Sequence, residues 1–261
     1  MEHRIYQIDA FTDKRFGGNP AAVIPLEEWL PDEVLQNIAL ENNLSETAYF
    51  TEQNGCFDLR WFTPATEVDL CGHATLATAH LLWTELGYAK SEIKFGSKSG
   101  PLGVKKEGEF YTMDFPTDQI TEVDTLESIA EALEAKVLQT FRGKEDYLVL
   151  LESQAAVEQL KPDFKKIASL HSRGIIATAE GTDADFVSRC FFPLYGIDED
   201  PVTGSAHTTL APFWAGRLGK NELTARQLSK REGFLKIAYK GQRTLISGQA
   251  VTYMKGTIFV E

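Results

Sequence analysis

Cysteine is scarce in this chain and wrongly spaced for its usual structural tasks. Cys56, Cys71 and Cys190 are the three thiols among 261 residues; they form no CxxC, and their odd number and wide separation argue against a disulfide framework and a zinc ribbon. Positive charge is the next deficit. Twenty-six lysines and arginines face 38 aspartates and glutamates, a formal charge of −12, and the longest basic blocks are pairs such as Lys105-Lys106. Without a basic stripe to offset repulsion by a phosphate backbone, nucleic acid is a poor partner. No apolar run approaches the ~18 to 20 residues that span a bilayer, so no membrane partner is expected. The opening MEHRIYQIDAF sets charges where a secretory signal needs an apolar core, so the expected compartment is the cytoplasm. No P-loop or GxGxxG opens a helix, and no HxxxH or CxxC holds two ligands on one face. The expectation is therefore no cofactor and no metal.

What is present is an ordinary globular composition, 43% apolar, long enough for one large domain or two of about 130 residues. An internal repeat favours two. A shift of 132 positions lays GHATLATAHLLWTELG, from Gly72 to Gly87, over GSAHTTLAPFWAGRLG, from Gly204 to Gly219. Identities fall at Gly72/Gly204, Ala74/Ala206, Ala79/Ala211, Leu86/Leu218 and Gly87/Gly219. Upstream, at a shift of 129, Arg60, Phe62 and Pro64 meet Arg189, Phe191 and Pro193, so the second copy has gained three residues before its glycine.

Each repeated segment reads as a helix from one glycine to the next. The first is apolar nearly all round (Ala74, Leu76, Ala77, Ala79, Leu81, Leu82, Trp83), and a helix without a polar face belongs inside something. Short strand-like runs such as RIYQIDAFT, FDLRWFT, ADFVSRCFF and FLKIAYK, separated by Gly and charged turns, supply the wrapping. Amphipathic helices are expected at residues 31–42 (Leu35, Ile38, Ala39), at 125–136 (Leu126, Ile129, Ala130, Leu133) and from Pro162 (Phe164, Ile167, Ala168). Pro212 should kink the second repeated helix or shift its start. The fold class expected is α+β: two pseudo-symmetric domains, each a curled, barrel-like sheet around a central helix. The boundary falls near Pro116-Thr117, giving domains 1–116, joined by the last strand at about 250–261, and 117–249.

The helix starts at Gly72 and Gly204 offer free N–H groups and a positive dipole end, and glycine lets a ligand approach the backbone. Facing one another they would form a cradle for a substrate carboxylate; singly, each would serve helix packing or capping. His73 follows Gly72, and Asp200 precedes Gly204 in GIDEDPVTGSAH; loops at helix starts are where functional side chains gather. Each also has a plain reading, His73 as a capping or core imidazole and Asp200 as a turn residue before Pro201. His207 lies three residues into its helix, and His80 and His171 read as structural. Cys71, His73 and His207 could be imagined around a metal, but nothing in their spacing supports it. Glu46, in NLSETAYF, aligns through the repeat with Ala177, so only one half carries the acid. A lone carboxylate in a partly apolar setting is suited to general acid/base work; the alternative is a solvated strand-entry charge or a partner of Ser45.

DAFT at 9–12, FGGNPAAVI at 16–24, NLSETAYF at 43–50, RWFTPATEVDLCGHATLATAHLL at 60–82 and GIDEDPVTGSAH at 196–207 together resemble the phenazine-biosynthesis F-type (PhzF-like) isomerases, a branch of the diaminopimelate-epimerase fold. The resemblance runs from residue 5 to the final strand. It implies two pseudo-symmetric α/β domains with the active site between them, and a cofactor-free proton shift on a small carboxylated substrate. Carried over by position, it makes Glu46 the acid/base carboxylate and His73 and Asp200 its companions. Gly72, Gly204 and Ser205 become binders of the substrate's carboxylate and other polar groups. It also implies a homodimer, for which Phe191-Phe192, Phe234-Leu235 and Tyr253 could supply the interface. The epimerases of this fold use two cysteines, one from each half. Here Cys71 holds the first position and Thr203 the second, and a threonine hydroxyl is a poor acid/base, so two-thiol racemisation is disfavoured. The alternatives are a one-base epimerase or racemase and a non-catalytic carboxylate-binding protein.

Overall fold

The computed structural model describes residues 1–260. It forms two compact units, one of residues 1–114 with the C-terminal stretch from 247, the other of residues 115–246. The first contains β1 (Glu2–Ala10), β2 (Asn19–Leu26), α1 (Asp32–Asn42), β3 (Glu46–Gln53), β4 (Cys56–Phe62), β5 (Glu67–Val68), α2 (Gly72–Thr84), β6 (Glu92–Gly96), β7 (Leu102–Glu107) and most of β8 (Phe110–Pro116). The second contains β9 (Thr121–Val123), α3 (Glu127–Leu133), β10 (Gln139–Arg142), β11 (Asp146–Leu150), α4 (Gln154–Glu158), α5 (Phe164–Ala168), β12 (Gly174–Glu180), β13 (Phe186–Phe192), β14 (Ile197–Asp200), α6 (Gly204–Leu218), β15 (Glu222–Gln227), β16 (Gly233–Tyr239) and most of β17 (Arg243–Gly248). The last strand, β18 (Ala250–Phe259), returns to the first unit and pairs antiparallel with β1. Both units are α+β.

In the first unit β2 runs antiparallel to β1 and parallel to β3, and β4 continues antiparallel to β3. Helix α2 packs on β1, β2, β3 and β18, and every residue from His73 to Leu82 is buried. Its threonines are compatible with that setting because their hydroxyls bond back into the helix: Thr75 Oγ1 donates to the Cys71 carbonyl at 2.6 Å and Thr78 Oγ1 to that of Ala74 at 2.8 Å. His80 is also satisfied, with Nδ1 3.0 Å from the Tyr111 hydroxyl and Nε2 3.1 Å from Thr252 Oγ1 on β18. Helix α1 belongs to a separate core with Ile5, Ile24, Tyr49 and Phe62.

The second unit repeats the central scheme. Strand β11 is parallel to β12, and β13 is antiparallel to β12, as β2, β3 and β4 are arranged in the first. The correspondence extends to side chains. Arg60 Nε and Nη2 bind the Glu67 carboxylate at 2.7 and 2.9 Å, and Arg189 Nε and Nη2 bind that of Glu199 at 2.7 and 2.9 Å. The two guanidinium carbons lie 5.1 Å from the Phe62 ring and 5.2 Å from the Phe191 ring. The hydrogen bond to Arg60 is the main influence holding Glu67 below the usual carboxylate range.

Several expectations need correction. Of the two effects expected of Pro212, the start of α6 is not shifted: the helix begins at Gly204 and continues through Pro212 to Leu218. Proline lacks the N–H that would bond the carbonyl four residues earlier, and the backbone N–H of Asp118 supplies the missing donor to Thr208 O at 3.2 Å. The helix expected at 125–136 is only the seven residues of α3, ended by Glu134 in the left-handed region at φ 49°. The short α4, capped by Ser153 Oγ accepting from Ala156 N at 3.2 Å, lacks a periodic signal long enough to read. Of the residues offered for an interface, Phe191, Phe192 and Leu235 are buried in the core of the second unit and Phe234 is partly buried, whereas Tyr253 is exposed. The alternation of strands explains this, since apolar side chains on the inward face read in sequence just like those on an outward one.

Candidate active site

Asn19 begins β2, Glu46 begins β3, and the strands are parallel with Ala21 opposite Glu46. Parallel pairing puts the starts of both strands at one end of the sheet, and the first turn of α2 brings His73 to them. The His73 Nε2 atom lies 3.2 Å from Glu46 Oε2. On the other side of the ring, Asn19 Nδ2 is 3.2 Å and Cys71 Sγ 3.5 Å from Nδ1. The Glu46 side chain keeps 13% of its exposure while that of His73 keeps 6%, so the carboxylate is the member of the pair that a small molecule can reach. Burial pushes the His73 imidazole from its ordinary value of 6.5 down to about 3, which keeps it neutral at physiological pH.

Glu46, Cys71 and His73 place ligand atoms within 4.8 Å of one another, so metal binding has to be weighed. The ring nitrogens point in opposite directions, one toward Asn19 and Cys71, the other toward Glu46. An ion taken by Cys71 and Nδ1 would displace the Asn19 amide. His207, also considered for a metal, lies in the second unit, where Nδ1 donates to the Thr203 carbonyl at 2.8 Å. Burial lowers its pKa to about 4.

In the second unit Asp200 ends β14 opposite Cys190 of β13, and Thr203 Oγ1 donates to Asp200 Oδ2 at 2.6 Å. Gln227 ties the turn together. Its Nε2 donates to the Asp200 carbonyl at 2.7 Å and to Thr203 Oγ1 at 3.2 Å, and its Oε1 accepts from Thr203 N at 2.8 Å. Gly204 is buried and Ser205 exposed at the start of α6. Arg173 Nη1 reaches Ser205 Oγ at 3.3 Å, while Arg173 is anchored by a forked pair with buried Asp146, Nε to Oδ1 at 2.8 Å and Nη2 to Oδ2. The Cys190 thiol is fully buried, which pushes its pKa well above its ordinary value, so it is not an available acid or base.

The residues singled out in the sequence thus form two clusters. Glu46 and His73, with Gly72 opening α2, belong to the first unit; Asp200, Gly204 and Ser205 belong to the second. Sequence reasoning missed Asn19, Gln227 and Arg173. Asn19 lies inside the GNPAAV motif as an uncharged amide, whereas Gln227 and Arg173 carry no local signal.

An acidic side chain set beside a neutral imidazole, on a repeated α+β unit with a buried helix, defines a protein of the epimerase-like fold with the means for proton transfer. The sequence pattern of the PhzC-PhzF family, described as "Phenazine biosynthesis-like protein", matches residues 8–256, and the chain belongs to that family. It is 51% identical to an uncharacterized isomerase of Pseudomonas aeruginosa, over 99% of each chain. The crystal structure of a phenazine biosynthesis protein of the PhzF family from Enterococcus faecalis superimposes with a TM-score of 0.97 at 44% identity, over 100% of both chains. A hydroxyproline epimerase from Agrobacterium vitis shares the fold alone, with a TM-score of 0.58 and 8% identity over 98% of this chain and 92% of that one. The chain is an isomerase of the PhzF type. No helix among the described residues is long and apolar enough to cross a membrane.

Proposed function

We propose that the chain catalyses a cofactor-independent proton shift on a small carboxylated substrate, with Glu46 as the single general acid/base. The observation that carries this reading is the 3.2 Å approach of His73 Nε2 to Glu46 Oε2. A neutral imidazole beside a carboxylate adds no positive charge to it, so the carboxylate can take a proton from an activated carbon. The carboxyl group so formed can exchange its proton with solvent and deliver one at another carbon on the same face, so one acid suffices. Asp200, Gly204 and Ser205 are assigned to holding the substrate's carboxylate and other polar groups. Their support is the ordered turn built by Thr203 and Gln227 and the N–H groups at the start of α6.

Two-base epimerisation finds less support. Cys71 is buried and Thr203, at the repeat-matched position, donates its hydroxyl to Asp200. The deciding experiment incubates the protein in deuterated buffer with a small-molecule extract of the expression host and locates incorporated label by mass spectrometry and NMR. An isomerase places deuterium at a new carbon, an epimerase only at the original stereocentre, and a binding protein nowhere. Glu46→Gln should lose label transfer by about 10²-fold or more, and a variant retaining over about a tenth of the wild-type rate would overturn the assignment.

The same reading includes a homodimer and a cytoplasmic setting. The support for self-association is an exposed apolar patch on the first unit, where Phe16 meets Tyr253 edge-on at 5.5 Å between ring centres beside exposed Met254. A sedimentation mass near that of one 29.1 kDa chain at micromolar concentration, independent of salt, would dismiss the dimer.

A further inference from the structure

We propose that Asn19 is a positioning residue that fixes the tautomer of His73, and through it keeps Glu46 in the state of a base; the catalytic part of this inference rests on the reading of Glu46 given above. The side-chain amide of Asn19 is fully buried and presents Nδ2 to His73 Nδ1 at 3.2 Å. An amide nitrogen only donates, so Nδ1 is the accepting, unprotonated nitrogen, and in a neutral ring the single proton resides on Nε2. Nε2 stands 3.2 Å from Glu46 Oε2. The alternative tautomer would set a bare Nε2 lone pair close to the carboxylate oxygen, a repulsion between two electron-rich atoms that favours a protonated carboxyl group. Glu46 would then be held as an acid before it met a substrate.

The chain segment preceding Asn19 is built to place it. Gly18 sits in the left-handed region at φ +60°, and a Cβ there would lie 2.1 Å from the Ala10 carbonyl oxygen, so no other residue fits the turn. The buried Asp9 carboxylate accepts the Phe16 N–H at 2.9 Å, and Thr12 N donates to the Gln249 carbonyl at 3.2 Å, which fix the loop from both sides. Phe11 is buried with φ 62°, an uncommon conformation for a bulky residue that persists only where its surroundings impose it. The parallel pairing of β2 with β3 then sets Asn19 and Glu46 at the same end of the sheet. Cys71 Sγ approaches the same nitrogen at 3.5 Å, and is the rival for control of the tautomer.

The test is long-range proton–nitrogen NMR of the uniformly nitrogen-15-labelled full-length chain at neutral pH, with the His73 ring signals assigned by their loss in His73→Gln. The wild type should show a protonated Nε2 and an unprotonated Nδ1. Cys71→Ala should leave that pattern unchanged. Asn19→Asp, whose carboxylate can only accept, should move the proton to Nδ1 and raise the pH at which His73 gains its second proton. A wild-type ring protonated at Nδ1 overturns the proposal, as does a tautomer switch in Cys71→Ala or an unaltered tautomer in folded Asn19→Asp. The wild-type spectrum decides even if that variant fails to fold. Absence of deuterium transfer would end the reading of Glu46 and leave the tautomer standing, whereas a wild-type Nδ1–H accompanied by label transfer would end this proposal alone.

Discussion

Thr203 Oγ1 donates to Asp200 Oδ2 at 2.6 Å across the turn that starts α6. Hydrogen bonds to charged groups contribute about 1.5 to 3 kcal/mol, and more is lost when a buried partner is left unsatisfied. Thr203→Val keeps the shape and removes the donor, so it should destabilise the chain by about 1 to 3 kcal/mol. Thr203→Ser, which keeps the hydroxyl, should lose less than half of that. Urea unfolding of the three proteins measures the difference, and equal midpoints for valine and wild type would mean that the hydroxyl does not hold the carboxylate in solution.

The duplicated arginines make a second comparison possible. Arg60 binds Glu67 and exposed Asp32, while Arg189 binds Glu199 and also donates to the carbonyls of Val157 at 3.2 Å and Leu160 at 3.0 Å. The second arginine therefore satisfies backbone groups at the end of α4 as well as a carboxylate. Arg189→Met should cost about 2 to 4 kcal/mol and Arg60→Met about 1 to 2 kcal/mol, scaled from the loss of partners for partly buried charges. Hydrogen exchange should also accelerate around residues 154–160 in the first variant alone. Equal costs with unchanged exchange would show that the carbonyl contacts add nothing.

The same duplication explains why much of the molecule is legible in sequence. Small residues recur wherever a helix is enclosed, which fixed the starts of α2 and α6 at Gly72 and Gly204, and the recurrence of Arg-x-Phe marked β4 and β13. What escaped depends on contacts distant in sequence. The run of α6 through Pro212 relies on Asp118 N–H, and Gln227 reaches Asp200 and Thr203 from a different strand. Asn19 is equally opaque, because an amide at a strand start looks the same whether it faces water or an imidazole. Among the site residues, Glu46 and His73 were recognisable as neighbours through their motifs, but the direction of each ring nitrogen is a property of the fold.

Cys71 provides a sharp contrast between packing and chemistry. It is buried at the cap of α2, and no second thiol stands at the repeat-matched position in the other unit. Cys71→Ala should reduce stability by about 1 kcal/mol or less, as expected for deleting one small buried group, and leave deuterium transfer within about threefold of wild type. A folded but inactive alanine variant, together with ligand-protected inactivation by a thiol reagent, would restore the two-thiol epimerase as the better reading.

Acid should unfold the protein through its buried imidazoles. Burial lowers the pKa of His73 to about 3 and of His80 and His207 to about 4, from an ordinary value of 6.5. Between these values the unfolded chain binds protons that the folded chain refuses. Stability is thus fully present above about pH 6.5 and declines as pH falls toward 4, the sign for groups whose folded pKa is depressed. Each such histidine contributes a slope of about 1.4 kcal/mol per pH unit within that window. Urea midpoints measured from pH 7.5 to 4.5 should fall steadily below pH 6.5. Carboxylates titrate lower in the range, so His207→Gln and His80→Gln isolate the imidazole contribution: each should flatten the decline between pH 6.5 and 5 relative to wild type, even where its stability at pH 7.5 is lower. A wild-type midpoint that stays constant from pH 6.5 to 5 would mean that these rings accept protons in the folded state, which their burial forbids.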